Sequence, residues 1–281
     1  MTGETRMIRR INSASLLVVL LCLVGCSKVD EVVLLGIVME NNDSLQKNQA
    51  KDANTGLKVF INGNFYDFIA GGYSGGGPID RFLRPGSNVV ELEGSTTNPV
   101  TINLVSFAAD CRTENRGILK QRWHNIAADG KYQLTFKVNK KSLLPIFDKK
   151  NALPNRLRSE QEITTIVRNL YQDYVTSNKE DFVRTTLEGC KIYSPADYHS
   201  YMDDDTIGRA FHYFKLKPFP EKLYFIHGNN LVFVYSGNLS QNSLFENQIF
   251  LDSEGHEDPT KESCSVAGIN FAYIEKRWVV W

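Results

Sequence analysis

Three different spacings of apolar residues follow one another along this chain. The first is a block: residues 14–24 (ASLLVVLLCLV) form an apolar run of 11 residues behind Arg6, Arg9 and Arg10. A bilayer core needs about 20 apolar residues of helix, so the block is too short for a permanent span and fits a secretory signal. The second spacing is that of short strands. Glu31–Glu40 (EVVLLGIVME) predicts a first strand. Leu57–Phe68 (LKVFINGNFYDF) predicts a hairpin, because Asn62-Gly63 supplies the positive φ angles of a two-residue type I′ turn. Val89–Glu93, Val100–Phe107, Gly117–Trp123 and Tyr132–Val138 predict further strands, with turns at Pro85-Gly86-Ser87-Asn88 and Asp129-Gly130. The third spacing is helical. Ile163, Ile166, Val167, Leu170, Tyr171, Tyr174 and Val175 share one face. Ser159-Glu160-Gln161-Glu162 precedes them as a capping box, with Ser159 as the expected cap.

Lys179–Leu187 predicts a second helix, and Ser194-Pro195-Ala196-Asp197 reads as another helix start. Strands are expected at Lys222–His227, Asn230–Tyr235, Phe245–Leu251, Cys264–Ile274 and Arg277–Trp281. The order divides the chain. Short strands with turn signals predict an all-β sandwich or jelly roll over residues 31–148. Helices followed by antiparallel strands predict an α+β domain over residues 159–281. Residues 149–158, polar and containing Pro154, read as the linker. Asn41–Gly56 is expected as a polar loop. Gly71–Gly77 is expected as a surface loop, since Pro78-Ile79-Asp80 follows where a phosphate loop would need Lys-Ser/Thr and a helix.

The end of the apolar block carries a specific motif. Leu23-Val24-Gly25-Cys26 resembles the lipobox of bacterial lipoproteins. The resemblance implies cleavage between Gly25 and Cys26, diacylglycerol on the Cys26 sulfur and an acyl group on its new amine. Two or more acyl chains give stable anchoring where one does not. Met7 could serve as initiator, since the signal from there is complete. Residues 26–30 would form the lipidated tether. Ser27, a residue other than Asp after the cysteine, implies sorting to the outer membrane in enteric-type bacteria, or the outer face of the cell membrane in a source with one membrane.

Removing residues 1–25 leaves 29 basic and 31 acidic residues, and no block of like charge stands out beyond Asp203-Asp204-Asp205. That balance argues against a nucleic-acid partner, which calls for a basic patch or stripe. Cys111, Cys190 and Cys264 remain beside the anchor; an oxidising envelope permits one pair, for which Cys190 and Cys264 are the candidates, or three reduced, buried thiols. No Cys/His spacing suggests a metal site, and no cofactor is expected beyond the covalent lipid.

Two weaker resemblances bear on fold. Asp80–Leu92 (DRFLRPGSNVVEL) is similar to a segment of galactose-binding-like jelly rolls, where a Pro-Gly turn and an Asn that tolerates left-handed backbone lead into a strand. It implies a fold without carrying over a sugar site. The run IVRNLYQDYVTSNKEDFVRTTL and the closing FAYIEKRWVV resemble the NTF2-like fold, with the usual turn glycine missing from the final hairpin. That family implies an apolar pocket, with an inward Asp/His pair in its enzymes. Tyr193, Asp197, His199, His212 and His227 are the pocket candidates here, each with a structural or solvent role as its ordinary reading. No catalytic triad or zinc-protease motif occurs. Phe65, Tyr66, Phe68, Tyr73 and Phe82 are expected in the core, or on a binding surface if exposed. The expected function is therefore a membrane-anchored, non-enzymatic binding module with a protein partner, such as an immunity or envelope-complex protein. The alternatives are a small-ligand binder or enzyme using the pocket, and a carbohydrate-binding lipoprotein. With so short a tether, the first domain is expected against the bilayer and the C-terminal domain nearest any partner.

Overall fold

A computed structural model describes residues 32–39, 56–69, 74–96, 99–107, 118–126, 129–138, 143–176, 178–193, 214–237, 239, 243–245, 249–250 and 266–281. The signal segment, Gly25, Cys26 and the Asn41–Gly56 loop up to residue 55 lie outside them.

The described residues are predominantly antiparallel β-structure with a few helices. Eight strands build the first half: β1 Val32–Met39, β2 Leu57–Ile61, β3 Asn64–Ile69, β4 Ser74–Pro78, β5 Gly86–Ser95, β6 Val100–Phe107, β7 Ile118–Ile126 and β8 Asp129–Val138. They form two four-stranded sheets, ordered β4-β1-β6-β7 and β3-β2-β5-β8. Alternation dictates the packing, because successive side chains of a strand point to opposite faces. Val33, Leu35, Ile37 and Met39 of β1 turn inward to meet Leu57, Val59 and Ile61 of β2 and Val90 and Leu92 of β5 in one apolar cluster.

The Asn62-Gly63 turn is as expected, with φ of 52° and 74°. Three details depart from the sequence reading. Four of the seven residues of the glycine-rich segment, Ser74–Gly77, are strand β4 rather than loop, paired with β1. There a Cβ on Gly76 would stand 2.2 Å from the Leu35 carbonyl oxygen, so the glycine permits close backbone approach. Asp129-Gly130 belongs to β8, opposite Gly94-Ser95, instead of forming the turn. At the Pro-Gly turn the left-handed residue is Gly86 (φ 83°), not Asn88. Asn88 is buried and spans the turn: its Nδ2 donates to the Arg84 and Gly86 carbonyls, and its Oδ1 accepts from Arg84 N–H and Asn62 Nδ2.

The second half opens with α1 Arg156–Val175, α2 Lys179–Thr186 and α3 Glu188–Tyr193. Helix α1 begins three residues before Ser159. Asn155 is the cap and accepts from Arg158 N–H, while Ser159 is buried inside the first turns and donates to the Asn155 carbonyl. Asn after Pro154 outcompetes the capping box because Asn ranks at or above Ser as a cap. Ile163, Val167, Leu170 and Tyr174 form the buried face, and Val175 lies outside it. Strands β9 Phe214–Lys215, β10 Leu223–His227, β11 Leu231–Ser236, β12 Ser243–Phe245, β13 Ile249–Phe250, β14 Val266–Ala267, β15 Ile269–Ile274 and β16 Arg277–Val280 follow. β11 lies between β10 and β15, and β16 pairs β15. The final hairpin turns without glycine, holding Glu275 and Lys276 at φ of 52° and 65°.

This sheet is covered on both faces. One face packs on α1: Val232, Val234, Phe271, Trp278 and Val280 meet Ile163, Val167 and Leu170. The other joins the core of the sandwich: Leu231, Ala272, Ile274, Val279 and Trp281 cluster with the residues of β1, β2 and β5. The linker segment between the halves is packed as well. Buried Asn151 donates to the Pro145 carbonyl and accepts from Glu275 N–H.

Candidate functional site

The pocket candidates do not converge. Of the five, Tyr193 and His227 fall among the described residues; Asp197, His199 and His212 lie outside them. Tyr193 stands edge-on to Trp281 with ring centroids 5.2 Å apart. His227 Nε2 lies 2.9 Å from Glu160 Oε1 on the first turns of α1. Glu160 also accepts from Arg156 Nε at 2.8 Å. Burial pushes the Glu160 carboxyl up, but the bonds and charge from Arg156 and His227 outweigh it and hold it below the ordinary glutamate range. Glu162, the expected partner of the cap, instead takes Arg158 Nε at 2.8 Å and Trp278 Nε1 at 2.9 Å. The Arg158 bond is the main cause of its lowered pKa, burial opposes it, and the Trp278 bond adds to it. Both acids therefore tie α1 to the sheet.

Cys190 is buried on α3; its candidate partner Cys264 and the third cysteine, Cys111, lie outside the described residues. Among the described residues no three His, Cys, Asp or Glu side chains gather as a metal site would need. No described helix is long and apolar enough to cross a membrane.

The polar constellation with the most directed bonds lies where the halves meet. Two turns interlock: Asn62-Gly63-Asn64 of the first hairpin and Gly228-Asn229-Asn230 between β10 and β11. Fully buried Asn64 accepts through Oδ1 from Asn230 N–H at 2.7 Å and Leu231 N–H at 3.0 Å. Asn229 N–H donates to the Gly63 carbonyl at 3.0 Å, and Asn229 Nδ2 to the Asn62 carbonyl at 3.2 Å. The backbones approach so closely that a Cβ on Gly228 would lie 2.8 Å from the Gly63 oxygen. Trp281 adds a second tie: Arg81 Nη1 donates to its carbonyl, and its Nε1 donates to the Arg81 carbonyl. These bonds join the two halves, and every group named is paired inside the protein.

Aromatic rings run outward from this junction. Phe65 meets Phe233 at 4.5 Å, Phe233 stacks with Tyr235 at 6.0 Å, and Tyr235 stacks with Tyr224 at 5.3 Å. Tyr224 is 36% exposed, and Lys222 Nζ lies 4.6 Å from its ring centroid. Burial, then the neighbouring Tyr224, pushes the Tyr235 hydroxyl up. The aromatics singled out in the sequence behave otherwise: Phe65, Phe68 and Phe82 are core, Tyr66 is half-buried, and Tyr73 lies outside the described residues. Sequence reasoning missed the Tyr224–Tyr235 pair, which forms only through the register of β10 on β11.

A half-open depression of about 150 Å³ lies among Phe60, Gly63, Leu92, Glu91, Glu93, Lys131 and Gln133. Ligand pockets run about 300–1,000 Å³ and enclose their ligand. This one is smaller, and its polar groups already pair across strands, Gln133 with Glu91 and Lys131 with Glu93. In comparisons with known proteins, the chain matches no protein family, no curated protein and no solved structure.

Proposed function

We propose that this chain is a bacterial envelope lipoprotein, cleaved before Cys26 and held in the outer membrane by lipid on that residue, which acts by binding a protein partner rather than by catalysis. The observation that carries the reading is Leu23-Val24-Gly25-Cys26 behind a basic start and an 11-residue apolar run. Recognition by surface rather than by a chamber is supported by the C-terminal sheet, whose faces are occupied by α1 and by the sandwich core. The exposed end of the aromatic ladder, Tyr224 with Tyr235 and Lys222, is the proposed contact. Tyrosines supply large, rigid area and recur where binding energy concentrates. An immunity role against a toxin delivered to the periplasm is one form this function takes. On fold, we read the first half as a jelly roll, supported by its two four-stranded sheets, and the second as NTF2-like, supported by α1 lying on a sheet closed by a terminal hairpin.

The test is a photo-crosslinking residue at position 224 in cells of the source, followed by mild detergent extraction. The reading expects one stoichiometric protein adduct, reduced at least about tenfold by Tyr235→Ala, a loss typical of an interface hot spot. No adduct at this position, or an unchanged adduct with Tyr235→Ala, contradicts it.

A further inference from the structure

The first strand enters the sandwich at the end where the C-terminal half joins it. β1 starts at Val32, where Val33 N–H donates to Asp80 Oδ2 and the Val33 carbonyl accepts from Ile79 N–H. The short turn Asp80–Phe82 leads within four residues to the start of β5, and Gly86 there pairs Val138 at the end of β8. The Asn62-Gly63 turn and Arg81, which hold the second half, belong to this end too. Six residue steps separate Cys26 from Val32, so the lipid can stand no more than about 20 Å from the strand.

What emerges from β8 at this end is basic. Residues 137–158 (KVNKKSLLPIFDKKNALPNRLR) hold seven Lys or Arg and a single acid, Asp148. The rest of the chain after Gly25 then carries 22 basic and 30 acidic residues. Arg156 and Arg158 are taken up by Glu160 and Glu162 just beyond this window, so the basic excess lies in residues 137–150 of a chain whose total is near neutral. Lys137, Lys149 and Arg84 are exposed and have no acidic partner among the described residues; Lys150 pairs only with Asp148. Two of the most exposed large apolar side chains, Leu143 at 55% and Leu157 at 67%, flank the lysines. Basic side chains interleaved with exposed leucines match an interfacial membrane surface, where cations meet anionic headgroups and apolar groups enter the acyl boundary.

We infer that the basic segment leaving β8, with exposed Lys137, Leu143, Lys149 and Lys150, docks on an anionic phospholipid leaflet beside the anchor. The inference rests on the lipoprotein reading for its geometry. It adds to the lipid a second point of attachment: the anchor end of the sandwich faces the membrane and the opposite end, at Met39, Gly94 and Ser95, faces away. The second half, tied to the anchor end, then stands beside the bilayer too, against the sequence expectation that the first domain alone lies there.

The test uses the chain from position 26 onward with Cys26→Ser, so that no lipid contributes. Flotation is measured with phosphatidylcholine vesicles, with and without phosphatidylglycerol as about a third of the lipid. Each basic residue near an anionic surface contributes about a fivefold factor in partitioning, so Lys137→Gln/Lys149→Gln/Lys150→Gln should weaken binding about a hundredfold. Lys131→Gln, at the opposite end of β8, should leave it unchanged, and salt of about 0.5 M should abolish it. Circular dichroism checks that each variant stays folded. Equal flotation with both vesicles, or an unaffected triple variant, overturns the proposal. The mass of Cys26 in the full chain is measured in parallel. A lipidated cysteine without anionic preference defeats the docking face alone; anionic preference with an unmodified cysteine defeats the lipoprotein reading alone.

Discussion

Replacing Asn64 with alanine probes the joint between the two halves. The side chain is fully buried, and its Oδ1 accepts two backbone N–H groups, from Asn230 at 2.7 Å and Leu231 at 3.0 Å. The donors face different fates. Leu231 N–H is in a buried bond, and an orphaned buried donor costs about 1–3 kcal/mol. Asn230 N–H is only partly buried and can turn to water, which limits its loss to about 0.5–1.5 kcal/mol. The contact from Asn64 Nδ2 to the Asn62 carbonyl, at 3.5 Å, is too long to add appreciably. The sum is about 2–4 kcal/mol, a large fraction of the roughly 5–15 kcal/mol that holds a typical domain. At this chain length it corresponds to a drop on the order of 10 °C in Tm. The assay is urea unfolding followed by tryptophan fluorescence, paired with calorimetry. Trp278 and Trp281 lie in the second half while Trp123 lies in the first, so fluorescence samples both. The wild type should unfold in one transition, because Leu231, Ala272, Val279 and Trp281 sit in the sandwich core. A loss below about 0.5 kcal/mol for Asn64→Ala would refute the reasoning, since even a single ordinary hydrogen bond is worth that.

Other consequences are checked by similar means. Gly228→Ala places a Cβ 2.8 Å from the Gly63 oxygen and 2.9 Å from Asn64 Cα, so it should destabilise by about 1–3 kcal/mol and be clearly non-additive with Asn64→Ala in a double-mutant cycle; simple additivity would mean the turns do not touch. Glu275→Asn with Lys276→Gly should raise Tm by a few degrees, because both positions hold positive φ and Asn-Gly is the preferred type I′ pair; a lower Tm would show that the present side chains contribute contacts worth more than the strain. Glu160 and Glu162 have lowered pKa values in the fold, so the stability they confer is present at neutral pH, above the ordinary glutamate range, and is lost as pH falls through that range. Melting curves from pH 7 to about pH 3 should therefore fall less steeply in Glu160→Gln/Glu162→Gln than in the wild type, and parallel curves would contradict the assignment.

Local chemistry made much of the fold readable. Asn62-Gly63 announced its turn because few residue pairs accept two positive φ angles. The face of α1 was readable because burial on one side imposes its own period. What escaped the reading was long-range or competitive. Asn62-Gly63-Asn64 and Gly228-Asn229-Asn230 each look like an isolated turn, and nothing local says that they interlock across some 166 residues of chain. Ser159 looked like the cap, but Asn155, one turn earlier and at least as good a cap, starts the helix and leaves Ser159 buried inside it. The glycines of β4 read as loop because composition cannot distinguish flexibility from a need for close approach to β1. The basic segment was in plain view: its charge vanishes in a whole-chain total and emerges only in a window the length of residues 137–158. For the proposed site, the lipobox-like Leu23-Val24-Gly25-Cys26 was legible in the sequence, but the Tyr224–Tyr235 contact was not, since its two rings meet only once β10 and β11 pair.

The central claim is that lipid on Cys26 holds this protein in the envelope. Its most direct test is intact-mass and peptide-mass spectrometry of the full chain isolated from membranes of the source, alongside Cys26→Ser. The account predicts a chain beginning at Cys26, with diacylglycerol on the sulfur and an acyl group on the α-amine, and a Cys26→Ser form that retains residues 1–25 and carries no lipid. A wild-type chain that begins elsewhere, or begins at an unmodified Cys26, would contradict it.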